Sequence, residues 1–390
     1  MIAFVQPFGI NDPGGGSRIL RALLSDAPQP YTSVCTRPSG PERMHPREVH
    51  VPTRPHFGRI ESTRFAKYLK ASYFEKLLAS SFKDRLRTTF QKRGVKVVHA
   101  VPHGLDFWHA FEVASDMGLP YILNVHDDLE YNIGRRPYYE EAVDRLRQVW
   151  QQADQRFVIS NAMGETYTRR FGDAPYGVVT DGLILEHIAS EPLSAPEQLS
   201  VYFMGAMHLT YHANVRALRH ALEQWCLATG RCARLIFRGS TSPVSGSSLL
   251  KVEERPFADE ETLRKDFDDA GILYFPLPFG KEHTAFVKYS LSTKLVTYLG
   301  SGRPILYHGP KEAAAAQLLA DHDAALIVDS LDGEALLGGL RELFADGQRY
   351  AANALKLGRE QFRMEKQQRT FWNGVMRVQE KASGSTEASQ

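Results

Sequence analysis

Residues 289–309, YSLSTKLVTYLGSGRPILYHG, place a helix-like run and a strand-like run directly after several hydroxyl side chains. Ser290, Ser292 and Thr293 can present hydroxyl and backbone N–H groups where the helix begins, and the helix dipole favours a phosphate there. Lys294 adds a mobile positive charge. The pattern predicts an αβ unit with one of two features at its helix start: a polyanion site or an ordinary serine-rich N-cap.

Residues 290–304 resemble the donor-diphosphate motif of retaining glycosyltransferases, family 4 in particular, whose members have the two-domain GT-B fold. The positions in register with that motif are Ser290, Thr293, Lys294, Tyr298, Leu299, Gly302 and Pro304. Three further segments match the family in the expected order: residues 158–162 with 167 and 170–172, residues 203–205 with 214–215 and 217–218, and residues 235–239. The resemblance covers most of the chain from about residue 97 onward. It implies two Rossmann-like domains with parallel sheets that face each other across a cleft.

The alternation of strand-like and helix-like runs also predicts an α/β protein with parallel sheets. The strand-like runs are residues 2–5, 96–100, 121–125, 156–159, 199–204, 234–237, 270–275, 304–307 and 325–328. A chain of 390 residues is too long for one core of ordinary size and suits two domains.

The domain boundary is expected in residues 185–198, where two prolines stand among polar residues. We predict a Rossmann-like acceptor-side domain over residues 1–190 and a Rossmann-like nucleotide-sugar donor domain over residues 191–365. A C-terminal helix over residues 366–381 is expected to return to the N-terminal domain. The composition of residues 382–390 predicts a disordered tail.

Three consecutive glycines, Gly14 to Gly16, follow the first predicted strand. Glycine lets the backbone approach a ligand closely and adopt positive φ, and the next helix offers its N-terminus. In the family that the chain resembles, such a loop faces the cleft near the donor phosphates or the acceptor. We therefore assign Gly15 and Gly16 to donor binding, with plain turn chemistry as the alternative.

Two histidines follow predicted strands, and the carboxyl ends of parallel strands are where ligands bind in open α/β sheets. The resemblance implies that His126 lies beside the transferred sugar, where it orients the reacting groups together with Asp127. His103 and Asp128 are assigned to the acceptor side. The alternatives are that the histidines are simply satisfied polar residues and that the aspartates cap a helix.

In the donor domain, the resemblance implies that Lys294 and the N–H groups around Ser292 and Thr293 stabilise the leaving diphosphate. Gly205 follows the first strand of this domain and is assigned to the same ligand. The backbone of Arg255 to Phe257 is expected to read the nucleobase. The resemblance implies that the donor is a nucleoside diphosphate sugar of the UDP or GDP type.

The donor site departs from the family pattern at two positions where many members carry glutamates. Tyr289 and Thr297 stand there instead. A threonine hydroxyl can contact a ribose, but it is a weaker hydrogen-bond acceptor than a carboxylate. The arginine and lysine that the family often carries after the first strand of this domain are also replaced, by Met207, His208 and Leu209 and the neighbourhood of His212. Lys294 is therefore expected to carry more of the diphosphate charge, with Arg216, Lys281 or Lys288 as candidate helpers.

We predict no metal and no cofactor other than the donor substrate. Asp127 and Asp128 are adjacent carboxylates, but no further carboxylate cluster stands near them in the sequence. GT-B families usually neutralise diphosphate with basic residues and helix N-termini. Contacts to acceptor hydroxyls or helix capping are the expected roles of these two residues.

Composition places the chain in the cytoplasm and gives no sign of nucleic-acid binding. The net charge is +2, and the three cysteines lack metal-ligand spacing, as expected for reduced thiols. The N-terminus lacks the basic and apolar regions of a signal peptide. No run approaches the roughly 18 apolar residues of a spanning helix.

Residues 54–96 are the exception to this even charge distribution. They contain twelve Lys or Arg residues against three acidic ones, with aromatic and leucine residues near a helical period. An amphipathic basic helix of this kind can lie on an anionic leaflet. A helix packed on the first domain with a solvated charged face is the equal alternative.

The resemblance implies a retaining glycosyltransferase that moves a hexose-type sugar to a glycan, lipid-linked or other hydroxyl acceptor. Synthesis of cell-surface polysaccharide or glycoconjugate is the expected setting. A sugar-nucleotide epimerase of the same fold would bind the same donor, but it needs acid and base carboxylates. A non-catalytic subunit that binds a glycan or a partner enzyme would fit the missing glutamates.

Overall fold

The computed structural model describes residues 1–37, 43–53, 77–134 and 138–387, with side chains as far as residue 383. The chain divides into two compact units, each built on a parallel sheet. Unit 1 comprises Met1–Thr180 and Gln367–Gln390, and unit 2 comprises Asp181–Lys366.

Unit 1 contains a seven-stranded sheet in its described residues, with every strand pair parallel and the order β3-β2-β1-β4-β5-β6-β7. Its strands are β1 Ile2–Gln6, β2 Tyr31–Cys35, β3 Glu48–His50, β4 Val97–Ala100, β5 Tyr121–Val125, β6 Gln155–Val158 and β7 Gly177–Val178. Its helices are α1 Gly15–Leu24, α2 Ala79–Arg93, α3 Asp106–Asp116, α4 Leu129–Ile133, α5 Tyr139–Gln152 and α6 Asn161–Phe171.

Unit 2 contains a six-stranded parallel sheet in the order β10-β9-β8-β11-β12-β13. Its strands are β8 Ser200–Met204, β9 Ala233–Arg238, β10 Leu250–Arg255, β11 Ile272–Pro276, β12 Ile305–His308 and β13 Leu326–Val328. Its helices are α7 His212–Thr229, α8 Glu260–Asp269, α9 Thr284–Val287, α10 Thr293–Leu299, α11 Ala314–Asp321, α12 Gly333–Asp346 and α13 Gln348–Gln361.

The last helix, α14 Met364–Glu387, begins in unit 2 and packs on unit 1. The ring of Phe371 lies 5.9 Å from Phe4 of β1 and 5.2 Å from Phe157 of β6. Trp372 Nε1 donates to the carbonyl of Leu23 at 2.9 Å. Aromatic packing on the sheet of unit 1 therefore fixes this helix.

The predicted fold class is confirmed, since both units are α/β with parallel sheets. The units divide between Thr180 and Asp181, before the predicted boundary at 190/191. Helix α14 runs through Glu387 and so enters the predicted tail. The loop-like run 239–251 ends in β10, whose first residue is Leu250.

Only part of the basic aromatic stretch 54–96 can be compared, because residues 54–76 lie outside the described residues. In α2, the side chains of Phe82, Leu86 and Phe90 are buried in unit 1. Arg85 donates to the Pro52 carbonyl at 2.7 Å. The described portion thus packs as a helix with a charged outer face. No helix among the described residues is both long and apolar enough to cross a membrane.

Candidate functional site

Helix α10 begins with an ordinary side-chain cap. Ser292 is its N-cap residue, and the Ser292 hydroxyl accepts the backbone N–H of Leu295 at 3.4 Å. Thr297 donates its hydroxyl to the Thr293 carbonyl at 3.1 Å, one turn earlier. Ser290, Ser292, Thr293 and Thr297 are all half-buried. The hydroxyls of Ser292 and Thr297 therefore also support the helix itself.

The ammonium group of Lys294 packs against two aromatic rings. Its Nζ is 3.7 Å from the ring centroid of Phe203 and 5.5 Å from that of Tyr211. Lys294 forms no ion pair with a carboxylate in the described part of the chain. The side chain keeps some exposed surface, but desolvation lowers the pKa of Lys294 to about 7. An incoming anion would restore the charge that burial disfavours.

Two glycines lie next to Lys294, and an exposed aromatic ring lies beyond them. Gly205 and Gly239 follow β8 and β9 with φ of 90° and 78°, a region that favours glycine. A Cβ at Gly205 would lie 3.6 Å from Cε of Lys294, and one at Gly239 would lie 3.4 Å from Cδ2 of Phe257. Phe257 is 86% exposed. Lys294, Gly205, Gly239 and Phe257 thus form a continuous row at the carboxyl edge of the sheet.

The side chain of Arg255 is held by the carboxylates of α8. Arg255 lies 2.6 Å from Asp266 and 2.7 Å from Asp269. Arg238 makes two bonds to Asp266, at 2.6 and 2.8 Å, and donates to the Pro256 carbonyl at 2.9 Å. These ion pairs hold the backbone that carries Phe257. They also occupy the Arg255 guanidinium.

The glycine loop of unit 1 makes close contact with an aromatic ring. Gly14 caps α1 with φ of 121° and no side-chain bond. A Cβ on Gly16 would lie 2.7 Å from Cζ of Phe8, so a larger residue would displace that ring. Gly15 is exposed. The Phe8 ring lies 5.8 Å from the ring of His103, which brings the loop to the edge where the histidines lie.

His103, His126 and Asp127 come together at this edge. The ring centroids of the two histidines are 6.3 Å apart, and His103 Nε2 is 3.4 Å from a carboxylate oxygen of Asp127. Burial lowers the pKa of His126 to about 3 and that of His103 to about 4, so both imidazoles are neutral at pH 7. Burial raises the pKa of Asp127, and His126 opposes that rise. The group is polar and dehydrated, without a fixed positive charge on either ring.

Asp128 has a structural position. It is the N-cap residue of α4, and its carboxylate accepts the backbone N–H of Glu130 at 2.8 Å. Its other oxygen lies 3.8 Å from Arg170. The capping role that the sequence offered for this residue is thus observed.

Sequence reasoning missed the aromatic surroundings of both edges: Phe203 and Tyr211 under Lys294, and Phe8 beside His103. Each is an ordinary apolar residue in the sequence, so only the fold shows its role. Among the described residues, no cluster of His, Cys, Asp or Glu side chains is arranged to hold a metal ion.

The sequence matches no protein-family model and no curated protein. Several solved structures are similar over nearly their full length. Sucrose-phosphate synthase from Thermosynechococcus elongatus has a TM-score of 0.65 at 15% identity, covering 98% of this chain and 99% of that one. HepE from Anabaena, in complex with UDP, has a TM-score of 0.66 at 13% identity, with coverages of 96% and 99%.

The α,α-trehalose 6-phosphate synthase from Burkholderia multivorans is similar at a TM-score of 0.65 and 12% identity, covering 100% of this chain and 98% of that one. These identities establish the fold alone. With its two parallel-sheet α/β units and this likeness, the chain has the GT-B fold.

Proposed function

We propose that this protein is a glycosyltransferase that moves a sugar from a nucleoside diphosphate sugar to a hydroxyl acceptor, with retention at the anomeric carbon. The observation that carries the proposal is Lys294, a partly dehydrated ammonium with no carboxylate partner among the described residues. It lies at one end of a row of glycines that ends at an exposed aromatic ring.

The row has the chemistry of a nucleoside diphosphate. Lys294 pairs with the diphosphate, and the bare backbone at Gly205 and Gly239 admits the phosphates and ribose. Phe257 supplies a face for the nucleobase, which the adjacent backbone of Arg255 and Pro256 can read. As the bond to the sugar breaks, charge develops on the leaving diphosphate, and Lys294 stabilises it.

Structures of similar fold support a donor of the UDP type. HepE from Anabaena is known in complex with UDP and with UDP-glucose. A trehalose-6-phosphate enzyme of E. coli is bound with UDP-2-fluoro glucose, and one of Burkholderia xenovorans with glucose-6-phosphate. For this chain we propose a UDP or GDP sugar as donor and a glycan, lipid-linked glycan or other sugar hydroxyl as acceptor.

In unit 1, His126 is the proposed partner of the transferred sugar. A neutral imidazole in a dehydrated site can accept a hydrogen bond from a sugar hydroxyl and orient it. Asp127 and His103 hold that arrangement through their 3.4 Å contact. No carboxylate is assigned as a covalent nucleophile, so we propose front-face attack by the acceptor hydroxyl.

We place the enzyme in the cytoplasm, with contact to the inner leaflet where the acceptor is lipid-linked. The support is the basic aromatic composition of residues 54–96, of which the described part packs on unit 1 through Phe82, Leu86 and Phe90. Sedimentation with liposomes of anionic lipid, at low and high salt, tests this. Protein that stays in the supernatant at low salt would contradict membrane contact and leave the transferase proposal intact.

A second candidate is a non-catalytic subunit. Thr297 stands where many members of the family that the chain resembles carry a carboxylate, and its hydroxyl already donates to the carbonyl of Thr293. A ribose would therefore find a weaker partner here. Such a subunit would bind nucleotide sugars weakly and release no nucleotide.

Nucleotide release with and without acceptor separates these functions. A panel of nucleotide sugars is first ranked by thermal shift, because a ligand at a hundredfold its dissociation constant stabilises by about 2.7 kcal/mol. The best donor is then incubated with mono- and oligosaccharide acceptors and with glycolipids. Release that depends on an acceptor, with a new glycosidic product, supports transfer. Conversion of the donor sugar without any acceptor would indicate an epimerase.

A further inference from the structure

A row of buried polar side chains runs beneath His126 on one face of the sheet of unit 1. His99 pairs in register with Ile122, which lies two residues before Asn124, and Asn124 pairs with Phe157, so His99, Asn124 and Phe157 share a face. His126 lies two residues beyond Asn124, which puts it on the same face. Phe371 of α14 covers this face, with its ring 5.5 Å from that of His99.

These polar groups have no hydrogen-bond partner among the described residues. His99 is 2% exposed and Asn124 is 0% exposed. Both ring nitrogens of His99, both amide atoms of Asn124 and both ring nitrogens of His126 are without a partner there. Buried polar groups are normally bonded, and apolar residues would fill the same space at lower cost. Stability therefore does not explain these three side chains.

Unit 2 shows how the same residue types serve stability. Asn214 is also 0% exposed, and its Nδ2 donates to the carbonyls of Leu277 and His308 at 2.9 and 3.0 Å. His308 has partners at both ring nitrogens, Tyr274 at 2.7 Å and the Ser330 carbonyl at 2.8 Å. The Asn214 amide nitrogen and both ring nitrogens of His308 are thus bonded, although Asn214 Oδ1 has no partner among the described residues. Beneath His126, none of the side-chain nitrogen and oxygen atoms of Asn124 and His99 has a partner there.

We propose that Asn124 and His99 are positioning residues that fix the tautomer and ring orientation of His126. This rests on the proposed role of His126 beside the transferred sugar. A neutral histidine has one donor and one acceptor nitrogen, and the bond made by one nitrogen decides which is which. Asn124 offers a donor and an acceptor on the same face. No direct bond joins it to His126 among the described residues, so an internal water is the proposed bridge, and His99 continues the row.

The first test separates positioning from stability by comparing the two buried asparagines. Asn124→Leu and Asn214→Leu each replace the amide by an apolar group of the same branched shape, and Asn124→Ala removes the amide without added bulk. We expect Asn214→Leu to lower the unfolding midpoint, because two carbonyls lose their donor. We expect at least one Asn124 variant to unfold no earlier than the wild type.

The second test measures the tautomer of His126 directly. In protein labelled with ¹⁵N-histidine, the ring nitrogen shifts report the tautomer, and His126→Gln assigns the His126 signals. We expect the tautomer ratio of His126 to change in Asn124→Ala and in His99→Phe, and kcat to fall about tenfold at unchanged donor KM. An unchanged tautomer ratio, or early unfolding of both Asn124 variants, would overturn the inference. The spectra need no substrate, so they decide the matter even if transfer is never observed.

Discussion

Two buried polar clusters, one in each unit, are bonded in opposite ways. In unit 2, Arg238 and Arg255 lie under α8 with Asp266 and Asp269 at 2.6 to 2.8 Å, and Tyr202 donates to Asp266 at 2.7 Å. In unit 1, the polar side chains beneath His126 are neutral and have no partner in the described residues.

Paired polar groups hold the scaffold in place, whereas unpartnered polar groups mark a candidate site. The paired charges of unit 2 fix the backbone next to Phe257, whereas Lys294 lies against Phe203 without a carboxylate partner among the described residues. The unpaired groups of unit 1 contribute little to stability and keep their hydrogen-bonding capacity. Polar groups that break the rules of a stable core are expected at functional sites.

The largest effect is expected when the paired network is broken. Asp266→Ala leaves Arg238 and Arg255 without their shared carboxylate, and removing one member of a buried ion pair typically costs about 3–5 kcal/mol. Urea unfolding followed by circular dichroism should show a lower midpoint for the variant, with unit 2 unfolding in a separate transition before unit 1. Glu261→Ala on the same helix is the control, because Glu261 pairs with Lys265 at the surface. Equal midpoints for the two variants would contradict the scaffold role.

Lys294→Ala should reduce turnover by about 10²–10³-fold, the usual effect of removing one group that stabilises developing negative charge. The fold should persist, because Lys294 forms no ion pair in the described residues. Steady-state kinetics with a matched melting curve measures both. Lys311→Ala, a surface lysine 3.5 Å from Asp329, is the control and should leave turnover unchanged. A folded Lys294→Ala protein with normal turnover would remove the donor assignment.

His126→Ala should lower kcat by roughly 10²-fold, within the range of positioned side chains that act on protons or hydroxyls, and should change donor affinity less. His308→Ala is the contrasting variant, because His308 is bonded at both nitrogens and its loss should reduce stability instead. If His126→Ala loses melting temperature and activity in parallel, His126 belongs with the structural histidines.

The smallest expected effect is the pH dependence of donor affinity. Desolvation lowers the pKa of Lys294 to about 7 in the free protein, and a bound diphosphate raises it again. Above pH 7 the free protein lacks this proton, so donor binding must take it up, and affinity should fall by up to about tenfold per pH unit. Below pH 7 the lysine is already charged and affinity should be flat. Calorimetry in two buffers of different ionisation enthalpy counts the protons, and zero uptake at pH 8 would contradict this.

Much of the fold could be predicted from the sequence, because buried parallel strands are short apolar runs. Two of the strands that were missed, β2 and β10, have polar patterns. β2 carries Thr32 and Ser33, and Ser33 accepts a bond from Gln6 across the sheet. β10 is an edge strand with charges at Lys251, Glu253 and Arg255, so it lacks an apolar signal.

Less of the candidate site than of the fold could be predicted from the sequence. Sequence placed Lys294 and His126 at helix and strand ends, which local pattern can show. It could not show that Arg255 is held by Asp266 and Asp269, because those contacts arise from the packing of α8 on the sheet. For the same reason the sequence could not show that the rings of Phe203 and Tyr211 pack against Lys294. Contacts between distant segments determine which of the candidate groups remain available.

Calorimetric titration of a nucleotide sugar into the wild-type protein and into Lys294→Ala tests the central claim most directly. We predict saturable binding of one UDP or GDP sugar per wild-type chain, loss of that binding in Lys294→Ala, and weaker binding in Phe257→Ala. Unchanged binding by Lys294→Ala, or no binding of any nucleotide sugar by the folded wild-type protein, would contradict it.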